Sequence, residues 1–215
     1  MKKILMGIGS CIGVALSYCV KASYIVGSRK AFFSATSVIV PLTGLVGGAS
    51  VAWIVGLFRM IFLMPYSWQG LAFVLPGLCA SLYWKYDQAW IRFWIPCIAF
   101  CAFLAHPVGY QAGWYACYWL IPMSIYMIAA SHFWLHALAS TFIAHAVGSV
   151  IWLYTIEMTA EQWLGLIPLV ALERMIITAG MVVGYSVICS IRNLIAGYNK
   201  VGVLLSHEEA EVVIE

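Results

Sequence analysis

Glu173 and Arg174 stand side by side inside an apolar run from Trp163 to Cys189. That run is long enough to cross a bilayer, and at 1.5 Å per residue the two charges lie roughly 15 Å from its start. A charge there costs about 2.5–3.5 kcal/mol on insertion scales unless it meets a partner, a cavity or a ligand. A carboxylate next to a guanidinium can hold a ligand's polar groups, pair an anion, relay a proton or staple helices together.

The preceding apolar run, 133–155, carries a second set of polar groups. Thr141, His145, Ser149 and Trp152 share one helical stripe by i,i+4 and i,i+3 spacing. A polar stripe facing lipid is costly, so it is expected to face the interior. His145 lies about ten residues before the link at Glu157 to Glu161, and Glu173 about ten after it. A short link makes the two helices antiparallel neighbours, which brings both residues to one depth. The expected cluster is Thr141, His145, Ser149, Glu173 and Arg174. Glu173 and Arg174 are about 100° apart on their helix, so one is expected to serve a ligand while the other braces a different helix.

The break from His106 to Trp114 adds further groups. Pro107, Gly109 and Gly113 interrupt a helix there, the Gln111 amide offers hydrogen bonds and the Trp114 ring a stacking surface. The break either lines a ligand cavity or is a plain connection. The segment from Arg59 to Gln69 carries Tyr66 and Trp68 and forms either a lid or an aromatic belt.

Other chemistries find little support. His132 and His136 are spaced i,i+4, but no carboxylate, cysteine or third histidine stands near, so no metal site is expected. The seven cysteines contain no CxxC and are expected to be buried thiols. The chain has no P-loop, no G-x-S-x-G and no H-E-x-x-H. No cofactor is implied, and energy from ATP must come from another chain.

The elements that position these residues follow from composition. Of 215 residues, 64% are hydrophobic and 9% charged, against about 25% charged in soluble domains. This composition implies an all-α integral membrane protein, multi-pass in the cell (inner) membrane. The net charge of +3 is small, and basic residues cluster at run ends, so nucleic acid is not an expected partner. Apolar runs fall at about 4–20, 37–58, 66–84, 91–106, 114–131, 133–155 and 163–189. They read as a bundle of six core transmembrane helices plus an additional N-terminal hydrophobic helix. The expected units are 1–30, an N-terminal segment that is a first span or a signal, 31–195, the bundle, and 196–215, a cytoplasmic tail.

With runs two to seven as spans, Lys21, Arg29, Lys30, Lys85, Arg92, Arg192 and Lys200 share one side and Arg59 the other. The rule that basic loops stay inside puts the first group in the cytoplasm. Lys2 and Lys3 oppose this if the first run also crosses. Rows of small residues (Gly44, Gly48 and Ala52; Ser140, Ala144 and Gly148; Gly180 and Gly184) are expected to let helices approach closely, within the chain or against a membrane partner.

Three stretches carry a resemblance: Val40-Pro41-Leu42-Thr43-Gly44-Leu45-Val46-Gly47-Gly48, Tyr118-Trp119-Leu120-Ile121-Pro122, and Ser140-Thr141-Phe142-Ile143-Ala144-His145-Ala146-Val147-Gly148. With size and span count, the chain resembles, over most of residues 30–195, an S component of the energy-coupling-factor vitamin transporters. The resemblance implies a six-helix subunit that captures a vitamin or micronutrient and depends on a coupling membrane subunit and ATPases. Such proteins often carry an A-x-x-x-A row for their membrane partner, and Ala31 to Ala35 has that spacing. No ligand residue carries over by motif.

The substrate-binding set expected from depth and polarity is Thr141, His145, Ser149, Trp152, Glu173, Arg174, Gln111 and Trp114. The expected function is capture of a small nutrient, with Trp114 or Trp152 stacking on a ring. The alternatives are a stand-alone proton-coupled permease with His145 and Glu173 as relay, a small membrane enzyme using them as an acid–base pair, and a scaffold whose polar cluster is wholly self-paired.

Overall fold

The computed structural model describes the backbone of residues 2–17, 21–23, 32–63 and 68–212, and side chains within 7–17, 35–62 and 74–194. The row Ala31 to Ala35 and the segment Arg59 to Gln69 fall partly outside the described residues, as do Arg29 and Lys30.

The described chain is almost wholly helical. The main helices are α1 (Lys2–Ser17), α2 (Thr36–Phe58), α3 (Trp68–Lys85), α4 (Ile95–Ala105), α5 (Pro107–Gln111), α6 (Gly113–Ala116), α7 (Leu120–Met127), α8 (Phe133–Thr155), α9 (Ala160–Gly165) and α10 (Ile167–Val212). Two strands, β1 (Lys21–Ser23) and β2 (Phe32–Ser34), pair antiparallel with Lys21 opposite Ser34. By length and apolarity three segments suffice to cross a membrane: Thr36–Phe62, Phe133–Thr155 and Ile167–Leu194.

The first of these does not run straight. Gly48 breaks α2 with φ 72° and ψ −169°, a conformation open essentially to glycine alone. A straight helix would put Val40 and Arg59 roughly 28 Å apart. Instead a Cβ built on Gly77 would lie 2.9 Å from a Val40 methyl and 2.6 Å from an Arg59 Nη1. Val40 also shares one buried cluster with Val51, Val55 and Val14 of α1. The contacts with α3 rise and then fall: Gly44 meets Ser81 and Gly48 approaches Lys85, whereas Gly56 returns to Leu78. So α2 is a helical hairpin. Its first arm runs parallel to α3 and its second antiparallel, and each arm is shorter than the ~20 residues a full crossing takes.

The first arm lies so close to α3 that Gly44 admits no side chain, since its Cβ would stand 2.0 Å from the Ser81 carbonyl oxygen. Ser81 Oγ in turn donates to the Val40 carbonyl at 2.7 Å. On its other flank α1 runs antiparallel to this arm, ending where Ser17 Oγ meets Thr36 Oγ1 at 3.1 Å. The strand Lys21–Ser23, paired with Phe32–Ser34 just before α2, therefore lies at the mouth of the hairpin, at the end opposite Lys85. This revises the expected grouping of basic residues. The start of α1, with Lys2 and Lys3, shares the end of the bundle that holds Lys85 and Arg92.

α8 is the central helix, touching α3, α4, α7 and α10. It runs antiparallel to α3: His136 Nδ1 meets Tyr83 OH at 2.7 Å, Ser140 Oγ donates to the Ala80 carbonyl at 3.0 Å, and Gly148 faces Pro76. α10 runs antiparallel to α8 and lays Gly180 and Gly184 against Val38 and Leu42 of the hairpin. The small-residue rows thus join helices of one chain. The backbone of α10 continues as helix past residue 195 to Val212.

The run 114–131 is not one helix. His106 caps α5, its Nδ1 accepting from the Val108 N–H at 3.3 Å. Ala112 then leaves helical geometry, and α6, a 3₁₀ turn at Cys117–Trp119 and α7 follow. The chain turns back on α4 closely enough that a Cβ at Gly109 would lie 1.9 Å from the Phe103 carbonyl oxygen.

Candidate functional site

The inner face of α8 carries Thr141, His145 and Ser149, all buried. His145 sits near the middle of a helix about 34 Å long. Both of its ring nitrogens are engaged. Trp119 Nε1 donates to Nδ1 at 3.1 Å, and Nε2 meets Tyr115 OH at 2.8 Å. An indole N–H can only donate, so Nδ1 carries the lone pair and the proton of the neutral ring is on Nε2. His145 Nε2–H then donates to the Tyr115 oxygen, and the Tyr115 hydroxyl is left to donate to Ser149 Oγ at 3.2 Å. The chain of bonds has one direction: Trp119 to His145 to Tyr115 to Ser149.

Aromatic rings enclose this chain. Phe103 stacks on Tyr115 at 5.6 Å and meets Trp119 and Trp163 edge-on at 5.1 and 5.3 Å. Trp163 meets Tyr115 edge-on at 4.9 Å. Trp163 is 2% exposed, and its Nε1 has no hydrogen-bond partner.

The charged pair lies beside this layer. Arg174 donates from Nη1 to the Thr141 carbonyl at 3.2 Å, which ties α10 to α8. Its Nη2 pairs with Glu173 Oε2 at 2.8 Å. The two neighbours therefore bond each other, although the 100° offset implied separate partners. Their side chains are long enough to curl together across one helix face. The Arg174 side chain is 12% exposed and that of Glu173 27%. Arg174 Nε is buried without a partner.

The pair also lies less deep along its helix than the apolar run implied. Thr159 opens α9 with a capping box, accepting from the Gln162 N–H while the Gln162 side chain accepts from the Thr159 N–H. α9 then ends at Gly165, and α10 restarts at Ile167 with Pro168 in its first turn. Trp163 thus belongs to α9, and Glu173 stands roughly 9 Å into α10.

Of the residues singled out by sequence, Thr141, His145, Ser149, Glu173 and Arg174 come together. His145 and Glu173 make no hydrogen bond with each other. Trp152, expected on the inward stripe, is exposed, and Gln111 and Trp114 also lie on the surface, Trp114 at 78% exposure. Ala112 is the reason: it separates α5 from α6, so Gln111 does not continue the inward stripe of Tyr115 and Trp119. Those two were missed as site residues. Their i,i+4 spacing with hydrogen-bonding aromatic side chains was the available signal. No group of three or more His, Cys, Asp or Glu among the described residues is placed to hold a metal. Comparisons with protein-family models, with curated proteins and with solved structures find no match for this chain.

Proposed function

We propose that the chain is a multi-pass membrane protein that captures a small nutrient between its helices, for uptake driven by separate ATPase chains through a coupling membrane subunit. In this reading the six core units are the α2 hairpin, α3, α4, the α5–α7 segment, α8 and α10, with α1 beside them. The end holding Lys2, Lys3, Lys85, Arg92 and Arg192 faces the cytoplasm, because more of the described basic residues lie there than at the opposite end with Lys21 and Arg59.

The observation that carries the reading is Arg174. A guanidinium held among apolar helices, tied to α8 through one nitrogen and to its own neighbour through another, keeps a buried donor unused. Intramembrane ionisable groups with incomplete pairing mark ligand and ion sites.

The hydrogen-bond pattern weighs against the competing readings. A relay needs a histidine that accepts a proton on one nitrogen and releases it from the other. The Nδ1 of His145 is capped by an indole, which does not pass protons on. The same cap leaves His145 no free nitrogen for acid–base catalysis. The test is uptake of a panel of radiolabelled water-soluble nutrients in cells producing the chain with and without ATPase and coupling partners. Accumulation that requires the partners, together with capture by the chain alone, supports the reading. No capture of any panel member overturns it.

A further inference from the structure

We infer that the ligand taken at this site is a small carboxylate, bound by Arg174 in exchange for Glu173. This rests on the capture reading above and names its substrate class.

A guanidinium offers five N–H donors in a rigid fork, and its side-on edge is made of the Nε–H and one Nη2 hydrogen. A free carboxylate fills that edge with two parallel bonds. Glu173 fills half of it: one oxygen reaches Nη2 at 2.8 Å, while Nε is buried with no acceptor. The reason is the tether. Glu173 is the adjacent residue of the same helix and approaches from about 100° around the axis. A carboxylate free of that tether can lie square to the edge. The opposite corner of the fork stays anchored on the Thr141 carbonyl at 3.2 Å, so the guanidinium need not move to change partners.

The rest of the interior is short of acceptors in the same sense. Four side-chain atoms among the described residues are buried without a partner: Nε1 of Trp84, Nε of Arg92, Nε1 of Trp163 and Nε of Arg174. All four are N–H donors. What would complete them is an acceptor, and in the apolar interior an anionic acceptor is favoured only beside a fixed cation. Of the two cations among them, Arg92 pairs with Asp87, and Arg174 is the one hydrogen-bonded to α8. Glu173 is the more exposed member of its pair, at 27% against 12%, which leaves it free to swing aside. The exchange conserves charge at the guanidinium: one carboxylate leaves and one arrives.

Glu173 is thus an internal competitor, and that gives its removal an unusual sign. The experiment is equilibrium binding of radiolabelled monocarboxylates, from acetate to benzoate, to the purified chain in lipid nanodiscs, with benzamide as the neutral counterpart of benzoate. At least one carboxylate is expected to bind and benzamide to bind at least about tenfold more weakly, the equivalent of one charge-assisted hydrogen bond. Glu173→Gln is expected to bind the carboxylate several-fold tighter. Arg174→Lys keeps the charge and the fold but lacks the fork, and is expected to lose about tenfold. Carboxylate affinity that falls in Glu173→Gln, or is unchanged in Arg174→Lys, overturns the exchange. If no carboxylate binds to the wild type or to Glu173→Gln while a neutral or cationic nutrient is still taken up with the partners, the capture reading stands and this inference fails.

Discussion

Tyr115 shows how much hangs on single atoms in this interior. Its hydroxyl accepts from His145 and donates to Ser149, so Tyr115→Phe leaves two buried polar groups unpartnered at almost constant volume. The expected cost is about 1–3 kcal/mol, read as a lower unfolding midpoint in mild detergent. The ring of His145 supplies a second check. Nitrogen NMR of labelled protein is expected to show the Nε2–H tautomer, and a proton on Nδ1 would contradict the bond from Trp119. The stripe of Thr141, His145 and Ser149 was legible in the sequence because i,i+4 spacing on one long helix survives folding unchanged. Tyr115 and Trp119 were not, because Ala112 breaks the helix between Gln111 and them. A pattern read across that break picks Gln111 and Trp114, which the fold turns outward.

Among the elements, the glycines of α2 divide by what they touch. Gly44→Ala drives a Cβ to 2.0 Å from the Ser81 carbonyl oxygen, which forces the first arm off α3. Gly48→Ala must adopt a positive φ of 72°, at a cost of about 1–3 kcal/mol. Gly9 of α1 has nothing within 4 Å of a built Cβ, so Gly9→Ala is expected to leave stability unchanged or raise it by up to about 1 kcal/mol. The measurement is thermal unfolding of the three variants side by side. An equal effect at all three positions would show that contact with α3 is not what fixes these glycines. Hydropathy could not disclose the hairpin. A 22-residue apolar run reads the same whether it crosses once or folds back, and Gly47-Gly48 looked like one more step in a row of small residues. The difference lies in a single backbone angle that only glycine adopts without strain. The antiparallel pairing of α8 and α10 was legible because the link between them is short and carries its own capping residues.

At the scale of the molecule, the hairpin decides which chain segments share an end of the bundle. Spin labels at Ser37 and Met60, both on exposed positions, test it in detergent or lipid alike. A straight helix separates them by roughly 34 Å, whereas the hairpin brings them to less than half that value. A distance near the straight-helix figure would restore a single crossing and return Lys21 to the end that holds Lys85. A helical bundle could be anticipated from the apolar runs, but their count did not say that one doubles back or that another is split into short pieces around Ala112. Those departures gather the aromatic layer against α8, and α10 ties the charged pair to the Thr141 carbonyl of the same helix.

The function proposed for the molecule rests on Arg174, whose guanidinium keeps a buried donor unused between the helices. The most direct test is uptake of radiolabelled nutrients by cells producing the chain with its ATPase and coupling partners, comparing wild type, Glu173→Gln and Arg174→Lys at equal membrane levels. The account predicts partner-dependent accumulation in the wild type, loss of at least about tenfold in Arg174→Lys, and altered accumulation in Glu173→Gln. Uptake of every nutrient unchanged by both substitutions, or no capture at all by the wild type, would contradict it and leave Glu173 and Arg174 as a staple between two helices.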